Sequence, residues 1–225
     1  MINLIIPAAG SGSRFSEKTP KQFVKIQGIE ILEMNLLTWI NIKLVDKIYL
    51  VLPQLEFEYN KNKYQKLSNK IIPIIGGSSR AESINNAIKI LDNKNPYTLI
   101  HDGARPFVTN ILIKRVIEAL KIHNAIIPAL KLTNTIKKVK NNQIINTINR
   151  ENLISVQTPQ GFHTNIIKKA YSNINLKNIN FDDSELVENI KEQVFYIEGE
   201  KNNIKITTQN DLDYAEFLIQ KYFKK

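Results

Sequence analysis

LIIPAAGSGSRFSEKTPKQFVK, spanning Leu4–Lys25, is the stretch that decides how this chain folds. Its apolar opening, Leu4-Ile5-Ile6, reads as a buried strand that breaks into Pro7-Ala8-Ala9-Gly10-Ser11-Gly12. Small residues let backbone N–H groups close on an anion because no side chain stands between them, so this loop has the composition of a phosphate cradle. Two cations, Arg14 and Lys21, follow it. A strand that ends in such a loop opens it at the carboxyl edge of a sheet, where open α/β folds bind ligands. Gly10-Ser11-Gly12 lacks the third glycine of a dinucleotide fingerprint, and no Gly-Lys-Ser/Thr follows to make a P-loop. Taken alone, the same residues suit a strand-to-loop turn with two solvated cations, so the other motifs must separate the two readings.

At 225 residues the chain suits one α/β domain with a sizeable core. Hydrophobic residues at 43% and charged residues at 23% exclude a disordered chain. Lys+Arg 31 against Asp+Glu 21 gives a net charge of +10, which favours polyanionic partners without choosing among nucleotides, phosphorylated metabolites and nucleic acid. No nucleic-acid reading motif accompanies that charge, so a basic nucleic-acid-binding module is the remote alternative. The absence of cysteine removes disulfides, thiolate metal sites and a cysteine nucleophile. His101, His123 and His163 do not stand at metal-ligand spacing, and no protein metal ligand is expected. Met1-Ile2-Asn3 carries no basic n-region and no stretch approaches a membrane span, which leads to the expectation of a cytoplasmic protein without a membrane partner.

Beyond the cradle, Ile29–Ile40 has apolar residues near helical spacing, with Trp39 read as core packing, and Val45–Leu52 is rich in aliphatic residues and reads as a second buried strand. Together they complete a βαβ unit. Glu58–Lys70 reads as a partly helical polar surface and Ile71–Ile75 as a strand. In the run from Gly76 to Ser83, Ser79 and Glu82 stand at capping-box spacing ahead of the apolar positions Ile84, Ala87, Ile88 and Leu91. These serines therefore serve either a helix cap or a ligand. Tyr97–Ile100 runs into His101-Asp102-Gly103-Ala104-Arg105-Pro106, an acid and a cation where a strand stops, suited to a ligand or to a turn with its own ion pair. A helix over Asn110–Lys121 and a strand over Ala125–Pro128 follow. Thr135–Val139 and Gln143–Ile148 alternate on either side of Lys140-Asn141-Asn142, the pattern of a hairpin, here without an evident apolar mate. Asn203–Thr207 alternates like a strand, and Asp211–Tyr222 reads as the last helix.

The strings PAAGSGSR and PKQF, joined by GG-x-x-RA-x-S at Gly76–Ser83, HDGARP at His101–Pro106, QTPQ-F at Gln157–Phe162 and NIK-T at Asn203–Thr207, resemble the sugar-nucleotide-type nucleotidyltransferases. Within them the resemblance is to the 2-C-methyl-D-erythritol 4-phosphate cytidylyltransferase family, and it covers nearly the whole chain. It implies an α/β, Rossmann-like three-layer domain over residues 1–225, with a mainly parallel sheet and a projecting β-hairpin arm at about 132–155. It also implies transfer of CMP from CTP to methylerythritol phosphate with release of pyrophosphate, magnesium held mainly by CTP and water, and a homodimer embraced by the arm.

By the same resemblance Arg14, Lys21, Arg150 and Lys205 are the catalytic cations. Pro7, Ala8, Ala9, Gly10, Ser11, Gly12, Gly77, Ser78, Arg80, Ser83 and Gly103 bind CTP, and Asp102, Arg105, Thr135 and Thr158 bind the acceptor. The implied nucleophile is an ionised phosphate oxygen, so no base is required, in agreement with the lack of a Ser–His–Asp arrangement; the need is for cations that align two repelling polyanions. Asn134, Asn149 and Ser78 stand where the family often has acids, and Phe181 where it commonly has threonine, exchanges that bear on the acceptor more than on CTP. A ribitol 5-phosphate cytidylyltransferase, which shares PKQF, TPQ and NIK-T, is the nearest alternative; Pro7-Ala8-Ala9 and Gly103-Ala104 lean toward methylerythritol.

Overall fold

The computed structural model describes residues 1–10, 20–55, 57–172 and 182–222. Ser11, Gly12, Arg14 and Phe181 lie outside these described residues. Strand β1 (Ile2–Pro7) runs to the start of the cradle. Past it, a 3-10 turn (Lys21–Phe23) leads into a hairpin of β2 (Lys25–Ile26) and β3 (Ile29–Glu30), and then into α1 (Ile31–Ile40). The expected helix thus begins two residues late. Gln27 and Gly28 both have positive φ, which closes a two-residue hairpin and turns Ile29 back to pair with Ile26.

The chain continues through β4 (Val45–Leu52), α2 (Phe57–Gln65), β5 (Ile71–Ile75), α3 (Arg80–Ile88) and β6 (Tyr97–Ile100). Next come α4 (Asn110–Ala119), β7 (Ala125–Lys131), β8 (Ile136–Lys140), β9 (Gln143–Ile148), β10 (Ile154–Val156) and β11 (Gln160–His163). Helices α5 (Thr164–Ser172) and α6 (Asp183–Asn189), strand β12 (Phe195–Glu198) and α7 (Gln209–Tyr222) complete it. Asn203–Thr207, read as a strand from its alternation, joins no ladder; its backbone is held instead by loops, as where Ile206 N–H donates to Ala104 C=O at 2.9 Å.

Pairing places β1 between β4 and β6, with β5 beyond β4, all four parallel. β11 joins β6 to β7, antiparallel to both. Ile126 pairs with both Gly161 and Phe195, and Ala129 with both Val156 and Glu198, so β12 follows one edge of β7 while β11 and β10 share the other. The chain passes from β1 out to β4 and β5 and only then returns to β6 on the other side. The carboxyl ends of β1 and β6 therefore flank a topological switch point, the place where open α/β sheets leave a crevice.

Strand alternation builds a core on each face. Ile2, Leu4, Ile6, Ile48, Leu50 and Leu52 pack with α1 and α4, whereas Ile5, Tyr49 and Val51 pack with α3, α5 and α6. Because both faces are covered, these strands read as continuous apolar runs. Trp39 is fully buried, as expected of packing. Helix α2 is more than a polar surface: Tyr64 is fully buried and donates to the Glu30 carboxylate at 2.5 Å, tying α2 to the hairpin that follows the cradle. β8 and β9 form their own two-stranded sheet, with Val139, Ile144 and Ile145 exposed.

Phe162 is fully buried in the α3–α5–α6 core. Phe162→Ala should lower unfolding free energy by about 3–5 kcal/mol, read from urea titration as a lower midpoint with an unchanged slope.

Candidate active site

A cavity of about 480 Å³ opens at the switch point, walled by the ends of β1 and β6, the start of α3 and the 205–207 segment. The described part of the cradle, Pro7, Ala8, Ala9 and Gly10, lines it together with Gly77, Ser78, Arg80, Ser83, Asp102, Gly103, Lys21 and Lys205. Residues spread over two hundred positions of sequence thus reach one crevice. Arg105, Thr158, Thr135 and Arg150 do not line it within one chain.

The walls are built by close approach and by side chains that bond backbone. A Cβ on Gly76 would lie 2.2 Å from Ala9 Cβ, so glycine there lets the α3 loop touch the cradle. Gln22 is buried and its Nε2 donates to Ala8 C=O at 2.7 Å and Gly10 C=O at 2.9 Å, fastening the cradle to the turn that carries Lys21. Within PKQF nothing in the residue type of Gln22 announces this role. In α3, Ser79 caps the helix by accepting from Glu82 N–H at 3.1 Å. The reciprocal arm of the expected box reaches one residue further back: the Glu82 carboxylate accepts from Ser78 N–H at 2.7 Å and Ser78 Oγ at 2.5 Å, and these bonds hold its carboxyl below the usual range. Ser83 Oγ accepts from Gly77 N–H at 3.0 Å.

Asp102 is the electrostatic centre. Its carboxylate meets Lys205 Nζ at 2.8 Å, Arg80 Nη2 at 3.3 Å and Arg105 Nε at 3.5 Å, and its side chain is 10% exposed. Burial by itself would push the carboxyl up, but Arg80, Lys205 and Arg105 outweigh that and hold it well below the usual carboxylate range. Arg80 is shared with Asp183, which takes its guanidinium in a two-point bond at 3.1 and 2.8 Å. Asp183 in turn accepts from Tyr171 Oη at 2.6 Å, and burial with that charge nearby drives the Tyr171 hydroxyl well up. The signal for Asp183 lay in the acidic pair Asp182-Asp183, one carboxylate capping α6 by accepting from Glu185 N–H and the other gripping Arg80.

Arg105 and Thr158 stand behind Asp102. Arg105 Nη1 donates to Asn203 C=O at 2.8 Å, and its guanidinium is 11% exposed. Thr158 Oγ1 accepts from Asp102 N–H at 3.1 Å and lies 3.0 Å from His101 Nδ1. Thr158 thus serves the backbone of the His101–Arg105 turn, whereas Arg105 ties that turn to the Asn203 carbonyl. Asn35 adds two more bonds, donating to Asp102 C=O at 3.0 Å and Arg105 C=O at 3.2 Å. A polar residue on the apolar face of α1 was the signal for Asn35. Thr135 and Arg150 sit exposed at the base of the arm, where Arg150 Nη1 donates to Thr133 C=O.

His101, buried beneath the site, has one consistent protonation state. Nε2 lies 3.0 Å from Arg105 C=O, an acceptor, so Nε2 carries the hydrogen and Nδ1 accepts from Thr158 Oγ1. Burial holds the imidazole neutral and lowers its pKa to about 4.

Comparison with known proteins is uniform. The family model described as 2-C-methyl-D-erythritol 4-phosphate cytidylyltransferase matches residues 2–221. The chain is 38% identical over 224 residues to the 2-C-methyl-D-erythritol 4-phosphate cytidylyltransferase of Clostridium beijerinckii, covering 98% of this chain and 99% of that one. To the enzyme of that name from Syntrophus aciditrophicus it is 37% identical, covering 96% and 95%. Among solved structures, the 4-diphosphocytidyl-2C-methyl-D-erythritol synthase of Anaerococcus prevotii superposes with a TM-score of 0.84 at 32% identity, covering 97% of this chain and 96% of that one. The Francisella tularensis 2-C-methyl-D-erythritol 4-phosphate cytidylyltransferase gives 0.83 at 33%, covering 96% and 98%.

The two buried groups divide the acid response. Between about pH 6.5 and pH 4 an unfolded chain protonates its histidine while native His101 refuses the proton, so stability falls as pH falls through that window, by up to about 3 kcal/mol. Below about pH 4 the paired Asp102 adds a further loss, because the unfolded carboxyl binds the proton first. Unfolding free energies measured against pH should show both phases, and His101→Gln should flatten only the first.

Proposed function

We propose residue roles on the premise that the chain belongs to the 2-C-methyl-D-erythritol 4-phosphate cytidylyltransferase family, as the match over residues 2–221 and relatives at 37–38% identity show. Its reaction is transfer of CMP from CTP to 2-C-methyl-D-erythritol 4-phosphate. The acceptor phosphate oxygen bonds to the α-phosphorus, the bond to the bridging oxygen breaks, and pyrophosphate leaves with 4-diphosphocytidyl-2-C-methyl-D-erythritol as product, a step of non-mevalonate isoprenoid precursor synthesis. The observation that carries the assignment of roles is the convergence of Lys21, Arg80, Asp102 and Lys205 with the cradle on one cavity.

Pro7, Ala8, Ala9, Gly10 and the Gly77–Ser83 segment receive CTP, with Gly103 beside them. Lys21, fastened through Gln22 to the cradle, neutralises the triphosphate as charge moves to the leaving pyrophosphate; Arg14 shares this role by residue match. Lys205 steadies the α-phosphate and the incoming phosphate. Asp102 accepts hydrogen bonds from acceptor hydroxyls. A carboxylate held this far below its ordinary range by three cations is a poor base, which suits a reaction whose nucleophile is already ionised. Arg105 and Thr158 are proposed, by residue match, to hold the acceptor phosphate, and their bonds to Asp102, Asn203 and His101 brace the turn that would present them.

Magnesium supplies charge screening across the triphosphate oxygens. Asp102 is the one carboxylate among the described residues lining the cavity, and both its oxygens face cations. The ion is therefore proposed to arrive on CTP, liganded by phosphate oxygens and water. No helix among the described residues is long and apolar enough to cross a membrane, and a cytoplasmic setting is proposed from the likeness to the bacterial relatives.

The arm supports a homodimer. Its Val139, Ile144 and Ile145 are 52–62% exposed, an apolar surface suited to a second copy, and Thr135 and Arg150 would then act in the partner's cavity.

Incubation with CTP, magnesium and methylerythritol phosphate should release pyrophosphate, and activity confined to ribitol 5-phosphate would overturn the acceptor. Lys21→Ala should lower kcat about 10²- to 10³-fold with far less effect on the unfolding midpoint; near-normal turnover would remove Lys21 from the catalytic set. Co-expression of Arg150→Ala and Lys205→Ala chains, each strongly impaired alone, should restore about a quarter of wild-type activity, because each mixed dimer regains one intact site. No restoration would place Arg150 in its own chain's chemistry or outside the site.

A further inference from the structure

Beyond Glu198, where β12 ends, Gly199 N–H still donates to Ala129 C=O of β7 at 2.8 Å, and the chain then runs through Glu200–Thr207 without a strand partner and delivers Lys205 Nζ to 2.8 Å from Asp102. A lysine reaches over many rotamers, so its aim depends on how firmly the backbone beneath it is held. Part of that hold comes from Gln157, which is buried and does not line the cavity. Its Oε1 accepts from Glu200 N–H at 3.0 Å and its Nε2 donates to Glu200 C=O at 2.9 Å, so one amide pairs with both backbone groups of one residue as a ladder partner would. The same Nε2 lies 3.4 Å from Asn203 C=O. Gln157 N–H donates to Pro128 C=O at 2.7 Å, which anchors the amide to β7.

Two neighbours are shaped to this contact. A Cβ on Gly199 would fall 2.4 Å from Gln157 Oε1, so any side chain there displaces the amide. Asn203, fully buried, donates from Nδ2 to Thr158 C=O at 2.8 Å and accepts at its carbonyl from Arg105, fixing the segment two residues before Lys205.

From this geometry we infer that Gln157 is a positioning residue for the transfer step: its amide substitutes for a missing strand and sets the register of the Lys205 loop against Asp102. The inference rests on the role given above to Lys205. Only an amide serves, because glutamate lacks the donor for Glu200 C=O and methionine lacks both groups. The CTP cradle is made by other segments, so the effect falls on kcat, through Lys205, and not on CTP binding.

The test is a double-mutant cycle on the full-length chain with CTP, magnesium and methylerythritol phosphate. Gln157→Met and, independently, Gly199→Ala are each made with Lys205 present and with Lys205→Ala. Each should lower kcat about 10- to 100-fold with the KM for CTP nearly unchanged, and should cost nothing further in the Lys205→Ala background. An equal fold-loss in both backgrounds, or full turnover by Gln157→Met, overturns the positioning role. Normal turnover by Lys205→Ala alone overturns the reading of Lys205 and this inference with it. Gly199→Ala keeps every hydrogen-bonding group, so it decides the matter if Gln157→Met folds poorly.

Discussion

A buried carboxylate encircled by three cations is the constraint around which this molecule is arranged. Asp102 faces Lys205, Arg80 and Arg105, and each of those is carried by a different segment. Breaking a buried ion pair by removing one partner typically costs 3–5 kcal/mol, roughly, because the remaining charge is stranded. The cluster therefore demands that the end of β6, the start of α3 and the loop before α7 arrive together. Once they do, Lys21, Arg80 and Lys205 line one cavity between them.

Arg80 joins two carboxylates of the cluster. Shared between Asp102 and Asp183, it lines the cavity together with Lys205, itself paired with Asp102, and Lys21. Tyr171 completes the chain behind Asp183, so a path of hydrogen bonds and ion pairs runs from the α5–α6 side of the sheet to Lys205 at the cavity. Beneath Asp102, a neutral His101 oriented by Thr158 and Arg105 fills the space under the turn without adding a charge. Arg80 and Lys205 thus both line the cavity and hold the scaffold, whereas Arg105 holds the scaffold alone within one chain.

Much of the architecture was legible in the chain. The strands Val45–Leu52, Ile71–Ile75 and Tyr97–Ile100 and the hairpin strand Gln143–Ile148 have the residues expected of them, because buried parallel strands and alternating hairpins leave strong local patterns. The pattern misled at Asn203–Thr207, where alternation reflects a loop pinned by side chains, and at Ile29, where positive φ at Gln27 and Gly28 makes a hairpin before the helix. Gln22 and Gln157 carried no chemical signature, since an amide that bonds backbone looks in sequence like any solvated glutamine, and Asn35 was marked only by its place on an apolar helix face.

By itself, the amino-acid sequence determined the succession of strands and helices, the small-residue loop after the first strand and the supply of cations, since periodicity and residue type act over a few neighbours. The family's strings tied these to a reaction. Only the tertiary structure decided which charges face the cavity. Arg105 and Lys205 are both cations near motif positions, yet one is 11% exposed and bonded to a carbonyl while the other lines the cavity. That division follows from backbone carbonyls that must find donors once buried, a requirement that exists only after distant segments have packed.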